Sequence, residues 1–492
     1  MNPDQSSFAL RSSCWRSNSQ PLRRRAWLML AASALLAACA GPGGSGAKPA
    51  AELPPIVFVH GNGDSAALWS ATIWRFESNG WPRERLYAVH FPNPLARDDN
   101  RQAQIGRSSS GEQRDYLAAE LGKVLAASGA KQAVLYGNSR GGNAIRDCVA
   151  TPAAQGGCGG RVSHAILGGT PNHGVWADAS LRPGSEFNGA GAFLLGLNAP
   201  KGPDGQALPA GSVGLEVTPG PQWLTLRSDN NDKFAQPDGV WIGAKGMPTH
   251  VSADGPALRG ATNLVLPGRD HRETSYHAEA FDQAYRFITG RAPATTSITP
   301  EANVLLDGEV DGFSAGGPTN RPLADAQVTV WAVDPGTGAR RGAALLAKTV
   351  GADGRWGPLR TDAQTALEFE IRAPGFAITH VYRGQFPRSS TLVHLKPERL
   401  AEADKAAAAA VVNLTRPRGY FGVPRDTVLL DGLDAPGIPP GVAGVAASKR
   451  LLKVGPGRPV VAEYRSGTLH ERIVGSAWPT AGNHVTVLEL QD

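Results

Sequence analysis

The chain has 492 residues, of which 41% are hydrophobic and 19% charged. That is apolar enough for a buried core and argues against wholesale disorder. No G-x-y period accompanies its 60 Gly and 38 Pro, which excludes collagen, and no apolar run reaches the ~18 residues of a spanning helix, which excludes a polytopic membrane protein. The formal charge of +6 is concentrated at one end: five Arg and a single Asp fall within residues 1–38. The remainder is close to neutral and carries no basic stripe suited to nucleic acid. At roughly 150 residues per domain, the length suggests about three domains.

Arg23-Arg24-Arg25, the short apolar run Ala26 to Ala38 and the small residues after it have the layout of a secretory signal. Leu36-Ala37-Ala38-Cys39 resembles a bacterial lipobox, in which Cys39 becomes the lipidated first residue; ordinary cleavage after Ala38 or Ala40 is the alternative. Ala40, where an Asp would signal retention, implies by the same resemblance an outer-membrane or cell-surface destination. Arg24 to Leu28 also resembles a twin-arginine signal. Residues 39–54, rich in Gly, Pro and Ala, read as a flexible tether. Cys14 falls in the signal, which leaves Cys148 and Cys158 as a pair in an oxidising compartment, and a disulfide is expected between them. Two free thiols are the alternative; no metal is expected there, because His164 is the sole extra ligand nearby.

Strand and helix signals then alternate. Ile56 to Val59 is a short apolar strand, Leu68 to Phe76 a helix stopped by Gly80 and Pro82, and Leu86 to Phe91 a second strand. Gln113 to Ala127 sets Tyr116, Leu117, Leu121 and Leu125 at helical spacing; Ala133 to Tyr136 is a strand and Ala144 to Val149 a helix behind it. Val162 to Leu167, Trp223 to Leu226 and Asn263 to Leu266 are further strands, and Phe281 to Ile288 belongs to a closing helix. Such alternation predicts an α/β domain with a parallel sheet over residues 55–290. An insertion at about 175–220, with the apolar Phe193 to Leu197, reads as a lid whose exposed apolar residues would meet an acyl chain; a satellite core cluster is the alternative. After the linker Arg291 to Pro300, period-2 segments (Gln327 to Trp331, Leu367 to Ile371, Thr391 to Leu395) predict an all-β sandwich over 303–399. Ala406 to Ala410 reads as helical, and a second β-rich module occupies 411–492.

Gly137-Asn138-Ser139-Arg140-Gly141 fits G-x-S-x-G between a strand and a helix, the setting of a nucleophile elbow. A serine hydroxyl needs an adjacent base oriented by a third group, and in this fold the chain order is Ser, acid, His. His271 follows the strand 263–266 and is the candidate base; His277 is the rival, better placed for capping. Asp232 is the candidate acid, with Asp229, a turn-capping residue, and Asp238 as alternatives. An oxyanion hole needs two backbone N–H groups; Arg140, after the nucleophile, and Asn62, in the His60-Gly61-Asn62-Gly63 loop, supply them. The His60 side chain is expected to brace that loop, and His173 to order the loop Gly168 to Gly174 through backbone hydrogen bonds, with contact to substrate as the alternative.

Val57 to Asn62, Gly137 to Gly142 and Gly169 to Gly174 resemble the lipase branch of the α/β-hydrolases, near the class 2 triacylglycerol lipases. The plan of catalytic domain plus β-rich tail resembles archaeal long-chain lipases with a C-terminal lipid-binding domain, and Asn303 to Arg399 is similar to transthyretin-like sandwiches. Arg140 departs from the Met or Gln that such lipases often carry, and its side chain is expected at the pocket mouth. The resemblance implies a serine ester hydrolase acting on lipid or ester substrates. It implies no cofactor, with a structural calcium left open. The lipidated end and the tail would engage a membrane or lipid surface. A polyester (polyhydroxyalkanoate) depolymerase, a short-chain carboxylesterase and a non-catalytic surface-binding protein are the competing readings.

Overall fold

The computed structural model describes residues 53–491 other than 230, 237–238, 240–245, 247–249 and 252. The signal, Cys14, Cys39 and Asp238 lie outside the described residues. Six strands form one parallel sheet: β1 (Ile56–Val59), β2 (Leu86–Val89), β3 (Ala133–Asn138), β4 (Val162–Gly168), β5 (Gln222–Ser228) and β6 (Thr262–Leu266), in the order β2-β1-β3-β4-β5-β6. All four residues of β1 are buried, as expected of a strand covered on both faces. The strand order reverses between β1 and β3, and in open α/β sheets ligands bind outside the carboxyl ends of the strands at that reversal.

The helices follow from local chemistry. Helix α1 (Ser70–Ser78) turns Trp74 and Phe76 inward. Helix α2 (Ser110–Ser128) starts with a reciprocal capping box between Ser109 and Glu112 and ends at Gly129 in the left-handed region, the start and stop chemistry of a stable helix. Helix α3 (Arg140–Ala150) is amphipathic and lies behind β3, starting four residues earlier than its apolar pattern predicts. Cys148 near its end is joined to Cys158, Cα to Cα 4.9 Å. The bridge closes a loop over a sequence separation of 10, which in the chain-entropy picture contributes about 2–3 kcal/mol. Cys148→Ser/Cys158→Ser should therefore lower the unfolding free energy measured in urea by that amount while leaving ester turnover at low denaturant near wild type.

Beyond Gly290 the strands Gln327–Val333, Arg340–Thr349, Ala366–Arg372, Ile378–Arg383, Ala410–Thr415, Ala447–Leu452 and His484–Glu489 join one seven-stranded sheet. The segments 303–399 and 411–492 thus share a sheet: Ile378–Arg383 pairs in parallel with His484–Glu489. The short helix Glu402–Ala407 connects them. Thr391 to Leu395 does not form a strand despite its alternation. Val393 and Leu395 are buried, but the backbone there makes only isolated bridges, and the Val393 carbonyl accepts from Trp356 Nε1 at 2.8 Å. Among the described residues no helix is long and apolar enough to cross a membrane.

The tail is packed into the α/β domain. One apolar cluster runs from Phe58, Trp69 and Phe281 to Trp356, Phe369 and Val393. Polar ties reinforce it: Trp74 Nε1 donates to the Ser389 carbonyl at 2.9 Å, and Asn320 Nδ2 to the Asp64 carbonyl at 2.8 Å.

Candidate active site

Ser139 stands between the last residue of β3 and the first of α3 with φ 53° and ψ −123°, a conformation that costs energy in any residue with a Cβ and clusters at functional sites. Such a turn needs bare backbone beside it. A Cβ on Gly141 would run into the carbonyls of Val59 and His60. The Ser139 N–H is held by the Gly168 carbonyl at 2.8 Å, and the residue sits at the amino end of α3, where developing negative charge is favoured.

His271 and Asp232 come together. His271 Nδ1 lies 2.6 Å from Asp232 Oδ2, and both residues are buried. The other Asp232 oxygen accepts from the Phe234 N–H at 2.8 Å, so the carboxylate is fixed from two sides. Phe234 packs edge-on against the imidazole at 4.5 Å. His271 Nε2 is buried and has no hydrogen-bond partner among the described residues. Ser139, His271 and Asn62 line one cavity of about 260 Å³. Asn62 is immobilised through its Oδ1, which accepts from the Ala96 N–H at 2.7 Å.

The rival residues are employed elsewhere. Asp229 caps its own turn, accepting from the N–H groups of Asn231 at 3.1 Å and Gly268 at 2.9 Å. His277 accepts from the Glu279 N–H at the start of the helix Ala278–Thr289. His173 pairs with Glu216 at 3.1 Å, a side-chain partner in place of the backbone ones expected. His60 is fully buried; its Nδ1 meets the Gly61 carbonyl, and its Nε2 accepts from the Phe91 N–H at 3.2 Å, bracing the loop after β1.

Burial pushes the His60 imidazole down to about 3, with its hydrogen bond to the Gly61 carbonyl opposing. The unfolded chain takes up a proton near pH 6.5 and the folded one does not until near 3. The stabilisation is therefore complete above pH 6.5 and is lost at about 1.4 kcal/mol per pH unit as the pH falls between those values. Urea unfolding at pH 7, 5.5 and 4.5 should follow that slope in wild type and a shallower one in His60→Asn.

Arg140 differs from expectation. Its guanidinium is not at the pocket mouth but buried, paired with Glu186 through Nε–Oε1 and, at 2.8 Å, Nη2–Oε2. It also donates to the Ser108 carbonyl at 2.7 Å and the Pro94 carbonyl at 3.1 Å. Glu186 belongs to the insertion, so the first residue of α3 ties that insertion to the elbow. The apolar run Phe193 to Leu197 also behaves differently: Leu194 and Leu197 are buried, Leu195 is exposed, and none of them lines the cavity. The apolar wall comes from Val175, Trp176 and Phe187 together with Phe234. Tyr420, from the tail, completes it.

Among the described residues, two groups of side chains have metal-ligand chemistry: His90, Glu309, Asp311 and His394, and Glu368, Glu370 and His380. None of these residues lines the cavity. In the first, His90 Nδ1 accepts from the Ala66 N–H, which puts the ring proton on Nε2, facing Asp311 at 3.3 Å. In the second, Arg340 neutralises both glutamates.

Residues 54–151 match the family described as Lipase (class 2), and residues 302–400 match the Lipase C-terminal domain. The first match contains Asn62, Ser139 and Arg140; Asp232 and His271 lie outside both. No curated protein matches the chain. Among solved structures, it is similar to the carboxylesterase CesB (YbfK) from Bacillus subtilis at 15% identity, over 50% of this chain and 86% of that one, with a TM-score of 0.26. It is also similar to the phospholipase PlaB from Legionella pneumophila at 13% identity, over 71% of this chain and 95% of that one, with a TM-score of 0.30. A parallel sheet, an elbow and two family matches thus lie in one polypeptide, with residues 54–151 similar to class 2 lipases and residues 302–400 similar to the lipase C-terminal domain.

Proposed function

We propose that the protein is an exported serine ester hydrolase that cleaves acylglycerol or other fatty-acyl esters through an acyl-enzyme on Ser139. The observation that carries this reading is the 2.6 Å contact between His271 and a buried Asp232, beside the cavity that Ser139 also lines. Asp232 keeps the Nδ1 proton on His271, which leaves Nε2 as the basic nitrogen. His271 takes the Ser139 hydroxyl proton as Oγ bonds to the ester carbonyl carbon. The oxyanion is held by the backbone N–H groups of Asn62 and Arg140. The C–O bond to the leaving alcohol then breaks, the alcohol takes the proton from His271, and the acyl group remains on Ser139. Water attacks in turn, gives its proton to His271, and the acid leaves as the serine regains its hydroxyl.

Substrate preference follows from the walls. Val175, Trp176, Phe187, Phe234 and Tyr420 suit an acyl chain. The cavity of about 260 Å³ is below the usual ~300–1,000 Å³ of ligand pockets, and that favours a second reading, a short-chain carboxylesterase. Turnover of p-nitrophenyl esters from acetate to palmitate, beside emulsified triacylglycerol, decides between them. A maximum at ten carbons or more with triacylglycerol hydrolysis supports the lipase; a maximum at four or fewer with inert triacylglycerol supports the esterase.

Export and anchoring through Cys39 rest on the basic and apolar leader and its lipobox-like end. The Cys148–Cys158 disulfide agrees with an oxidising compartment. Radiolabelled palmitate should enter the full chain expressed in a bacterial host and be lost in Cys39→Ser; equal labelling of that variant would contradict the anchor.

A further inference from the structure

The loop that carries His271 is held by charge from the far end of the chain. Asp270 and Glu273, one residue before the imidazole and two after it, are both buried. Between them lies the guanidinium of Arg416, itself only 1% exposed. Nη1 is 3.1 Å from Asp270 Oδ2 and 2.7 Å from the Tyr420 carbonyl; Nη2 is 2.7 Å from Glu273 Oε1 and 3.0 Å from the Tyr276 hydroxyl. A Cβ on Gly419 would collide with that guanidinium, so the turn 416–420 is built around it. The same turn sends the Tyr420 N–H to Asp270 Oδ2 at 2.8 Å and the Tyr420 ring into the cavity with Ser139 and His271. Arg272, beside the imidazole, stacks on that ring at 4.6 Å and pairs with Asp64 in the loop after β1. The bearers of the base, of the oxyanion N–H and of one cavity wall are thus locked to one tail segment.

We propose that Arg416 is a positioning residue for His271: its fork fixes the loop 270–273, and its charge cancels the buried carboxylates that would otherwise draw a proton onto the imidazole. The proposal rests on the reading of His271 as the base. Other charged groups act on the same loop and its partners. Asp232 and Lys233 come from the turn after β5, Asp64 from the loop after β1, Arg272 from its own loop and Arg425 from the tail, at 2.8 Å from Glu273. Against the cost of burial, Arg416 and Arg425 hold Glu273 below the ordinary carboxylate range. Burial and the charge of Glu273 push Asp270 above it. A lysine is a point charge and cannot bridge two carboxylates as the planar fork does, so charge and geometry separate experimentally.

The test uses the full chain and the pH dependence of kcat and kcat/KM on p-nitrophenyl butyrate. In Arg416→Met, kcat should fall at least about 10-fold with KM near wild type, and the acidic limb of kcat/KM should move up by about half a pH unit. In Arg416→Lys, kcat should fall while the limb stays in place. In Asp270→Asn, the limb should move down. A folded Arg416→Met enzyme with wild-type kcat and an unmoved limb would overturn the proposal. If Arg416→Met yields no folded protein, an unmoved limb in Asp270→Asn overturns it. Fluorophosphonate labelling of Ser139→Ala is the separate control: persistent labelling there sinks the serine mechanism itself, whatever Arg416 does.

Discussion

Replacing Ser139 by alanine is expected to lower ester turnover by at least about 10⁴-fold and to leave the fold intact, since the hydroxyl supports no packing. Asp232→Asn is expected to cost about 10⁴-fold in kcat. An amide at 2.6 Å from Nδ1 would favour the wrong imidazole tautomer. Asp229→Asn is the internal comparison. Its carboxylate serves the N–H groups of Asn231 and Gly268, so its kcat should stay within a few-fold of wild type. Steady-state kinetics on one soluble ester, with circular dichroism as the folding check, grades all three. Equal losses in the two aspartate variants would mean that the acid has been misassigned.

The second large effect is on stability. Arg140→Met should lower the unfolding free energy by about 3–5 kcal/mol, because it leaves Glu186 buried without its cation. The double variant Arg140→Met/Glu186→Leu should recover much of that loss, since a buried ion pair can be replaced by apolar groups of similar volume at little cost. Urea unfolding of the three proteins measures this directly. The single variant should also lose activity ahead of global unfolding, because Arg140 ties the insertion that supplies Val175, Trp176 and Phe187 to the elbow.

What could be read from the sequence was local. The elbow announces itself because strand, small residues, serine and helix occur within a dozen positions, and the bare backbone it needs leaves glycines in the text. The contacts that were missed are long in sequence. Glu186 meets Arg140 across 46 residues, and Arg416 meets Asp270 across 146; no periodicity encodes such pairs. Arg416-Pro417-Arg418-Gly419-Tyr420 carries an arginine and a glycine that only the folded turn explains. The apolar run Phe193 to Leu197 marks a buried helix face without saying what it packs on. Its side chains Leu194 and Leu197 turn inward, while the cavity wall is built from Trp176 and Phe187. The alternation of Thr391 to Leu395 likewise marks which side chains go inside, and Val393 and Leu395 do. It does not guarantee a neighbouring strand for the backbone to pair with.

The tail also changes meaning once its contacts are known. A C-terminal lipase domain is easily taken for a detachable docking module. Here the segment 416–425, beyond the matched residues 302–400, touches the loop of His271, and Tyr420 lines the cavity, so the tail shapes the site.

The central claim is that Ser139 becomes covalently acylated. Intact and peptide mass spectrometry of the full chain after a fluorophosphonate ester would test it most directly. The account predicts one adduct per chain, on the peptide containing Ser139, absent in Ser139→Ala and slowed in His271→Ala. A folded wild-type protein with no adduct, or an adduct that persists on another residue in Ser139→Ala, would contradict it.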